Sequence, residues 1–134
     1  MKIYLDDIQT PLSSEWIVCR SFVEFVAVVS SEFGSYETPT VCDLEITFDH
    51  DLATDHYQFD FDRLRDDPNM TDCEKSGYDC AKWLIGRNII LKTFWVHSAN
   101  PVGTLNILYL LNNWYKYNGM PEIGYRRVWE IKAV

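Results

Sequence analysis

Three short runs of this 134-residue sequence place ionisable side chains at the ends of apolar stretches. Asp6-Asp7 follows Lys2 to Leu5, Asp49-His50-Asp51 follows Val41 to Phe48, and His97-Ser98 follows Thr93 to Val96. Carboxylates gathered without a matching set of cations either take up protons or hold a metal ion. Hard oxygen donors suit Mg²⁺ or Mn²⁺, and an ion held by Asp6, Asp7, Asp49 and Asp51 would make the site attractive to phosphate. Each pair also has a simpler reading, Asp6 and Asp7 as turn residues before Pro11, Asp49 and Asp51 as Asx-type caps. On the residues alone both readings stay open. A calcium loop is excluded, because Ala53 and Thr54 stand where an oxygen ligand and a glycine are required.

His50 and His97 are the histidines near strand ends. Each can serve as a general acid or base near neutral pH, or as a structural hydrogen-bonding group. Ser98 leads into Asn100-Pro101, a helix start whose backbone N–H groups and dipole favour an anion. Asn100 and Ser98 are therefore candidate phosphate ligands, although Asn100 is equally a plain N-cap. Arg20, at the end of the second strand, is a further candidate phosphate contact. His56 lacks zinc-site spacing, and Asp60, Asp62, Asp66 and Asp67 read as a solvated face.

The elements that must position these groups alternate. Lys2 to Leu5 and Trp16 to Arg20 read as strands. A helix follows, with Ser21 and Glu24 as a capping box, Phe22, Phe25, Val26, Val29 and Phe33 on one face, and Gly34 as a stop. Val41 to Phe48 reads as a central strand that Asp43 and Glu45 make polar on one face in its first half. Ala53 to Glu74 is acidic, aromatic and poorly periodic, and reads as a long loop. Ser76 to Arg87 is a helix capped by Ser76 and Asp79, Thr93 to Val96 a strand, and Asn100-Pro101 opens a helix carrying Ile107, Leu110, Leu111 and Trp114 and ending near Gly119. Arg127 to Ile131 is the last strand. The order is ββαβαβαβ, which implies a mostly parallel sheet with its ligand site outside the carboxyl ends of the strands.

A net charge of −8, from 12 basic and 20 acidic residues, disfavours general nucleic-acid binding. No apolar run is long enough for a membrane span or a signal peptide, so a cytoplasmic protein is expected. Cys19, Cys42, Cys73 and Cys80 form no CxxC pair and read as reduced thiols packed as small hydrophobes. Trp16, Trp83, Trp114 and Trp129 read as core.

Leu5-Asp6-Asp7 with a nearby proline, Asp49-His50-Asp51-Leu52, Ser76-Gly77-Tyr78-Asp79 followed by Trp83, and His97-Ser98-Ala99-Asn100-Pro101 occur in the order of the cyclic-phosphate-processing receiver-like domain family. The sequence resembles that family over roughly residues 2 to 115, most specifically in the last motif. The resemblance implies a degenerate response-regulator receiver. Its fold would be a single α/β domain over residues 1–134, a flavodoxin-like three-layer sandwich with a mostly parallel five-stranded sheet and an acidic insertion at about 53–75.

It further implies a divalent cation, Mg²⁺ or Mn²⁺, on Asp6, Asp7 and Asp49, with Asp49 at the phosphoacceptor position and Ser98 at the hydroxyl that contacts it. His50 and His97 match the histidines on which the family's action on cyclic phosphates is based. Three departures stand out: Ile8-Gln9-Thr10 where an arginine is often found, a longer loop at 53–75, and Lys132 alone as a candidate for the receiver lysine. The implied function is a metal-dependent phosphoesterase for a cyclic nucleotide or a 2′,3′-cyclic phosphate end, in nucleotide signalling or phage–host conflict. The alternatives are a non-catalytic module that sequesters a small phosphorylated nucleotide or docks to a partner, and a phosphoacceptor switch at Asp49.

Overall fold

The structure, a computed structural model, describes residues 1–52, 75–120 and the backbone of 124–126. The elements run β1 (Lys2–Leu5), β2 (Ile17–Cys19), α1 (Phe22–Glu32), β3 (Thr40–Phe48), α2 (Gly77–Gly86), β4 (Ile89–Val96), α3 (Pro101–Tyr117) and β5 (Gly124–Arg126). Four parallel strands in the order β2-β1-β3-β4 form the sheet, and the three-residue β5 adds in parallel beside β4. The last strand thus lies ahead of the expected Arg127–Ile131, whose residues, like those of the 53–74 loop, fall outside the described ones.

Local chemistry sets the element ends. The Ser21 hydroxyl accepts from the Glu24 N–H at 3.1 Å, as expected for an N-cap. The Glu24 carboxylate, however, reaches past Ser21 to accept from the Arg20 N–H, so the capping box does not close in the expected form. At α2 the reciprocal bond is present: the Ser76 N–H donates to Asp79 Oδ2 at 2.8 Å. Strand β4 starts four residues earlier than Thr93. Asn88, in the left-handed region at φ 57, turns the chain directly out of α2, and the apolar Ile89-Ile90-Leu91 run is buried as a central parallel strand requires.

The crossovers β2→β3, β3→β4 and β4→β5 all advance in one direction across the sheet. Right-handed connection then puts α1, α2 and α3 on the same face, where α1 packs on α2 and α2 on α3. Ile3, Leu5, Leu44, Ile46, Phe48, Phe94 and Val96 point into that layer and form its core with Phe25, Val29, Leu84, Ile107, Leu111 and Tyr115. The expected three-layer sandwich is corrected here for the described residues. Only β1→β2 runs the other way, and residues 6–16 cross as a loop with no helix.

The opposite face of the sheet carries aromatic rings. Tyr4 stacks on His97 at 4.5 Å between centroids, Trp16 sits edge-on to Tyr4, and Trp95 edge-on to Trp16. Trp16 is buried as expected, and Trp83 and Trp114 pack partly buried against the core. Trp129 lies outside the described residues. Cys19, Cys42 and Cys80 are reduced and buried, and burial pushes the Cys19 thiol up to about 12. No described helix is long and apolar enough to cross a membrane.

Candidate functional site

Strand register assembles the site. Leu5 pairs with Phe48 and Phe48 with Val96, so the next residues along the three central strands stand level: Asp6, Asp49 and His97. Two further ladder bonds hold them there, from the Asp49 N–H to the Leu5 carbonyl (2.8 Å) and from the His97 N–H to the Phe48 carbonyl (2.9 Å). Period-two alternation turns all three to the aromatic face, continuing the row of Tyr4, Thr47 and Trp95. A hollow of ≈ 300 Å³ opens at this edge, lined by Asp6, Asp7, Asp49, Asp51 and His97, with Ile8, Gln9 and Ala99 completing the wall.

Asp6 is only 2 % exposed and has three hydrogen-bond partners. Its Oδ1 accepts from the Ile8 and Gln9 N–H groups, each at 2.8 Å, and its Oδ2 lies 2.9 Å from His97 Nε2. Burial pushes the Asp6 carboxyl up, but the bonds from His97, Ile8 and Gln9 outweigh it and hold the group below its ordinary value. The other nitrogen of the ring, His97 Nδ1, lies 2.8 Å from Thr47 Oγ1. Both ring nitrogens are therefore committed, and the His97 side chain is 2 % exposed. Burial, then the charges of Asp6 and Asp49, raise the Tyr4 phenol well above its ordinary value, so the ring under His97 stays neutral.

Asp49 behaves differently. Burial, then the Asp6 charge and more weakly Asp7, push its carboxyl up to about 6 against the opposing effects of His97 and a hydrogen bond from Ser98. Between its unfolded value near 3.8 and about 6, the folded protein keeps a proton that the unfolded chain releases. Stability from this group therefore falls as pH rises through that window, and the whole penalty is present above about pH 6. Asp49→Asn is expected to raise the melting temperature of metal-free protein by roughly 3 °C or more at pH 7.5, for about 1 kcal/mol after solvent screening, and to change little at pH 4. Equal melting of variant and wild type at pH 7.5 in chelator would show that Asp49 is not under repulsion.

One oxygen from each of Asp6, Asp7 and Asp49 falls within 4.8 Å of the others. Ligand oxygens at about 2.1 Å around an octahedral Mg²⁺ stand roughly 3 to 4.2 Å apart, so a slight contraction completes the set. A carboxylate has about four lone-pair positions and Asp6 uses three, which leaves it one for a cation. The residues fit a hard divalent ion with retained waters.

The other expected residues stand around this cluster in different ways. Asp51 lines the hollow but stands outside the three-carboxylate cluster. Its Oδ1 lies 2.9 Å from His50 Nδ1 and 3.5 Å from the Asn100 amide nitrogen. The Arg20 guanidinium donates to the carbonyls of Asp6 and Gln9 and to Thr10 Oγ1, so it ties down the loop after β1 and is not in the wall of the hollow. At the start of α3, two of the N–H groups expected to hold an anion are in use. That of Asn100 donates to Ser98 Oγ (3.1 Å), that of Gly103 to Asn100 Oδ1 (2.9 Å), and Pro101 has none. Cap and anion compete for those two donors, and here the cap holds them.

Two glycines hold the loop after β3. The Gly77 N–H donates to the His50 carbonyl at 2.7 Å, and a Cβ at Gly77 would overlap the Asp49 carbonyl oxygen. A Cβ at Gly103 would overlap the His50 imidazole. Thr47, Tyr4 and Gly103 were missed by the sequence reading. For Thr47 and Tyr4 the signal was there, since each lies two residues before an acidic site residue on its strand and so shares its face.

The family model of the cyclic-phosphate processing receiver domain matches residues 1–113. The chain belongs to that family. No curated protein and no solved structure matches it. As a cyclic-phosphate processing receiver domain it carries the acidic cluster of a receiver site in Asp6, Asp7 and Asp49.

Proposed function

We propose that this receiver domain is a metal-dependent phosphoesterase that opens a cyclic phosphate, with a cyclic nucleotide or a 2′,3′-cyclic phosphate end as substrate. The observation that carries the reading is the level row Asp6, Asp49, His97 at the wall of a hollow, in a chain of this family. Asp6, Asp7 and Asp49 would hold Mg²⁺ or Mn²⁺, which supplies neutralising charge and polarises a phosphoryl oxygen.

The chain's own groups do the rest. The backbone N–H groups of Ile8 and Gln9 fix Asp6, and Ser98 steadies Asp49 through its hydroxyl. His97 lines the hollow and is the proton carrier of this reading, its Nε2 exchanging Asp6 Oδ2 for the leaving oxygen while Thr47 holds the far side of the ring. His50, its Nδ1 held by the lining residue Asp51, is a second proton carrier in this reading. Asn100 caps α3 and donates to the lining residue Asp51. A cytoplasmic role in nucleotide signalling or phage–host conflict belongs to the same reading.

A second reading has its own support. Both nitrogens of His97 are committed and its side chain is buried, which suits a site built to bind and hold a phosphorylated nucleotide. Incubation with a panel of cyclic mono- and oligonucleotides plus Mg²⁺ or Mn²⁺, with products resolved by chromatography, separates the two. Turnover beyond one equivalent is expected. Stoichiometric depletion, with intact ligand recovered on denaturation, would replace the enzyme by a sequestering module. A covalent mass gain on Asp49 would point to a phosphoacceptor switch.

A further inference from the structure

Ile8 stands out on the wall of the hollow: it is 70 % exposed, beside carboxylates, on a loop that is otherwise pinned. Its N–H and that of Gln9 both donate to Asp6 Oδ1, while Arg20 holds the carbonyls of Asp6 and Gln9 and the Thr10 hydroxyl. The backbone that carries Ile8 is therefore fixed in place, so little loop ordering is needed when a flat apolar group covers its exposed side chain at the mouth of the polar site. Next to it Gln9 offers an amide that both donates and accepts.

Size and charge narrow the occupant. A hollow of ≈ 300 Å³ is at the small end of ligand sites, about the room that one nucleotide unit needs. Its described lining includes four carboxylates and no lysine or arginine. A divalent ion on three of those carboxylates leaves the wall negative, so a second or third ligand charge meets repulsion. A cyclic phosphodiester carries one negative charge, whereas a terminal phosphate carries about two at neutral pH.

Resting on the phosphoesterase reading above, we infer that Ile8 is a specificity residue on which the base of a nucleoside cyclic monophosphate lies, with Gln9 at the base edge. The site then prefers nucleoside cyclic phosphates to base-free ones, and both to nucleoside diphosphates. The test compares wild type, Ile8→Ser and Ile8→Leu on 2′,3′-cyclic AMP and on glycerol 1,2-cyclic phosphate with Mn²⁺, by kcat/KM and by calorimetric binding, with ADP as competitor.

Wild type is expected to favour 2′,3′-cyclic AMP about tenfold or more, Ile8→Ser to shrink that ratio about three- to tenfold, and Ile8→Leu to keep it. Equal handling of the two cyclic phosphates, an unchanged ratio in Ile8→Ser, or tight displacement by ADP would overturn the inference. Binding with the expected preference but without turnover would support the Ile8 platform and remove the phosphoesterase reading. Absence of binding to either compound would remove both.

Discussion

Gly77→Ala is expected to cost about 2 to 3 kcal/mol of stability and, in whatever folded protein remains, to weaken Mn²⁺ binding about tenfold or more. The added methyl group would overlap the Asp49 carbonyl oxygen, and neither backbone can retreat. On one side the Gly77 N–H is bonded to the His50 carbonyl, and on the other the Asp49 N–H is bonded to the Leu5 carbonyl. Relief requires moving α2 off the loop or moving Asp49 out of line with Asp6. Denaturant melts with and without Mn²⁺ measure both effects. A variant as stable as wild type, with unchanged Mn²⁺ affinity, would mean that the start of α2 does not clamp the site.

His97→Gln is the second substitution with a large expected effect. Glutamine can reach toward one of Asp6 and Thr47 but cannot bridge them with a flat ring stacked on Tyr4. Turnover is expected to fall about 10² to 10⁴-fold, the range for loss of a positioned proton-transfer group. Mn²⁺ affinity is expected to fall only about tenfold, the smaller cost of losing a group that orients a ligand. Thr47→Val, which leaves the Asp6 bond but removes the far support of the ring, is expected to lie between wild type and His97→Gln in rate.

The variant also carries a pH signature. Asp6 sits below its ordinary value and so contributes stability above about pH 3.8 that is lost as pH falls through its folded value. Removing the His97 bond shrinks that contribution, so His97→Gln should melt lower than wild type at pH 7 and converge with it in acid. An unchanged turnover rate in His97→Gln would show that the chemistry does not pass through the Asp6–His97 pair.

Much of this frame was legible in the residues. The order ββαβαβαβ, the cap at Ser21, the strand ending at Phe48 and the Asn100-Pro101 helix start all follow from local signals that tertiary packing reinforces. The three-layer expectation came from the family resemblance and not from that order, which already lacked a helix between β1 and β2. Arg20 is a candidate phosphate contact by its charge and Asn100 by its place at a helix start. A sequence does not show that the Arg20 guanidinium donates to loop carbonyls, or that the Asn100 side-chain oxygen accepts from the Gly103 N–H as a cap. The burial of His97 depends on Tyr4 and Thr47, which meet it only through strand register 50 residues and more away. Neither the overlap at Gly77 nor that at Gly103 has a local signal, since each depends on how closely a helix start approaches the loop after β3.

The most direct test is the rate of 2′,3′-cyclic AMP opening by the full chain as Mn²⁺ is added to chelator-treated protein. The account predicts no product in chelator, a rate that rises to a plateau at one tightly bound Mn²⁺ per chain, and no such rise in Asp49→Asn. A rate that is the same in chelator as in Mn²⁺, or a Mn²⁺-dependent rate that Asp49→Asn leaves intact, would contradict it.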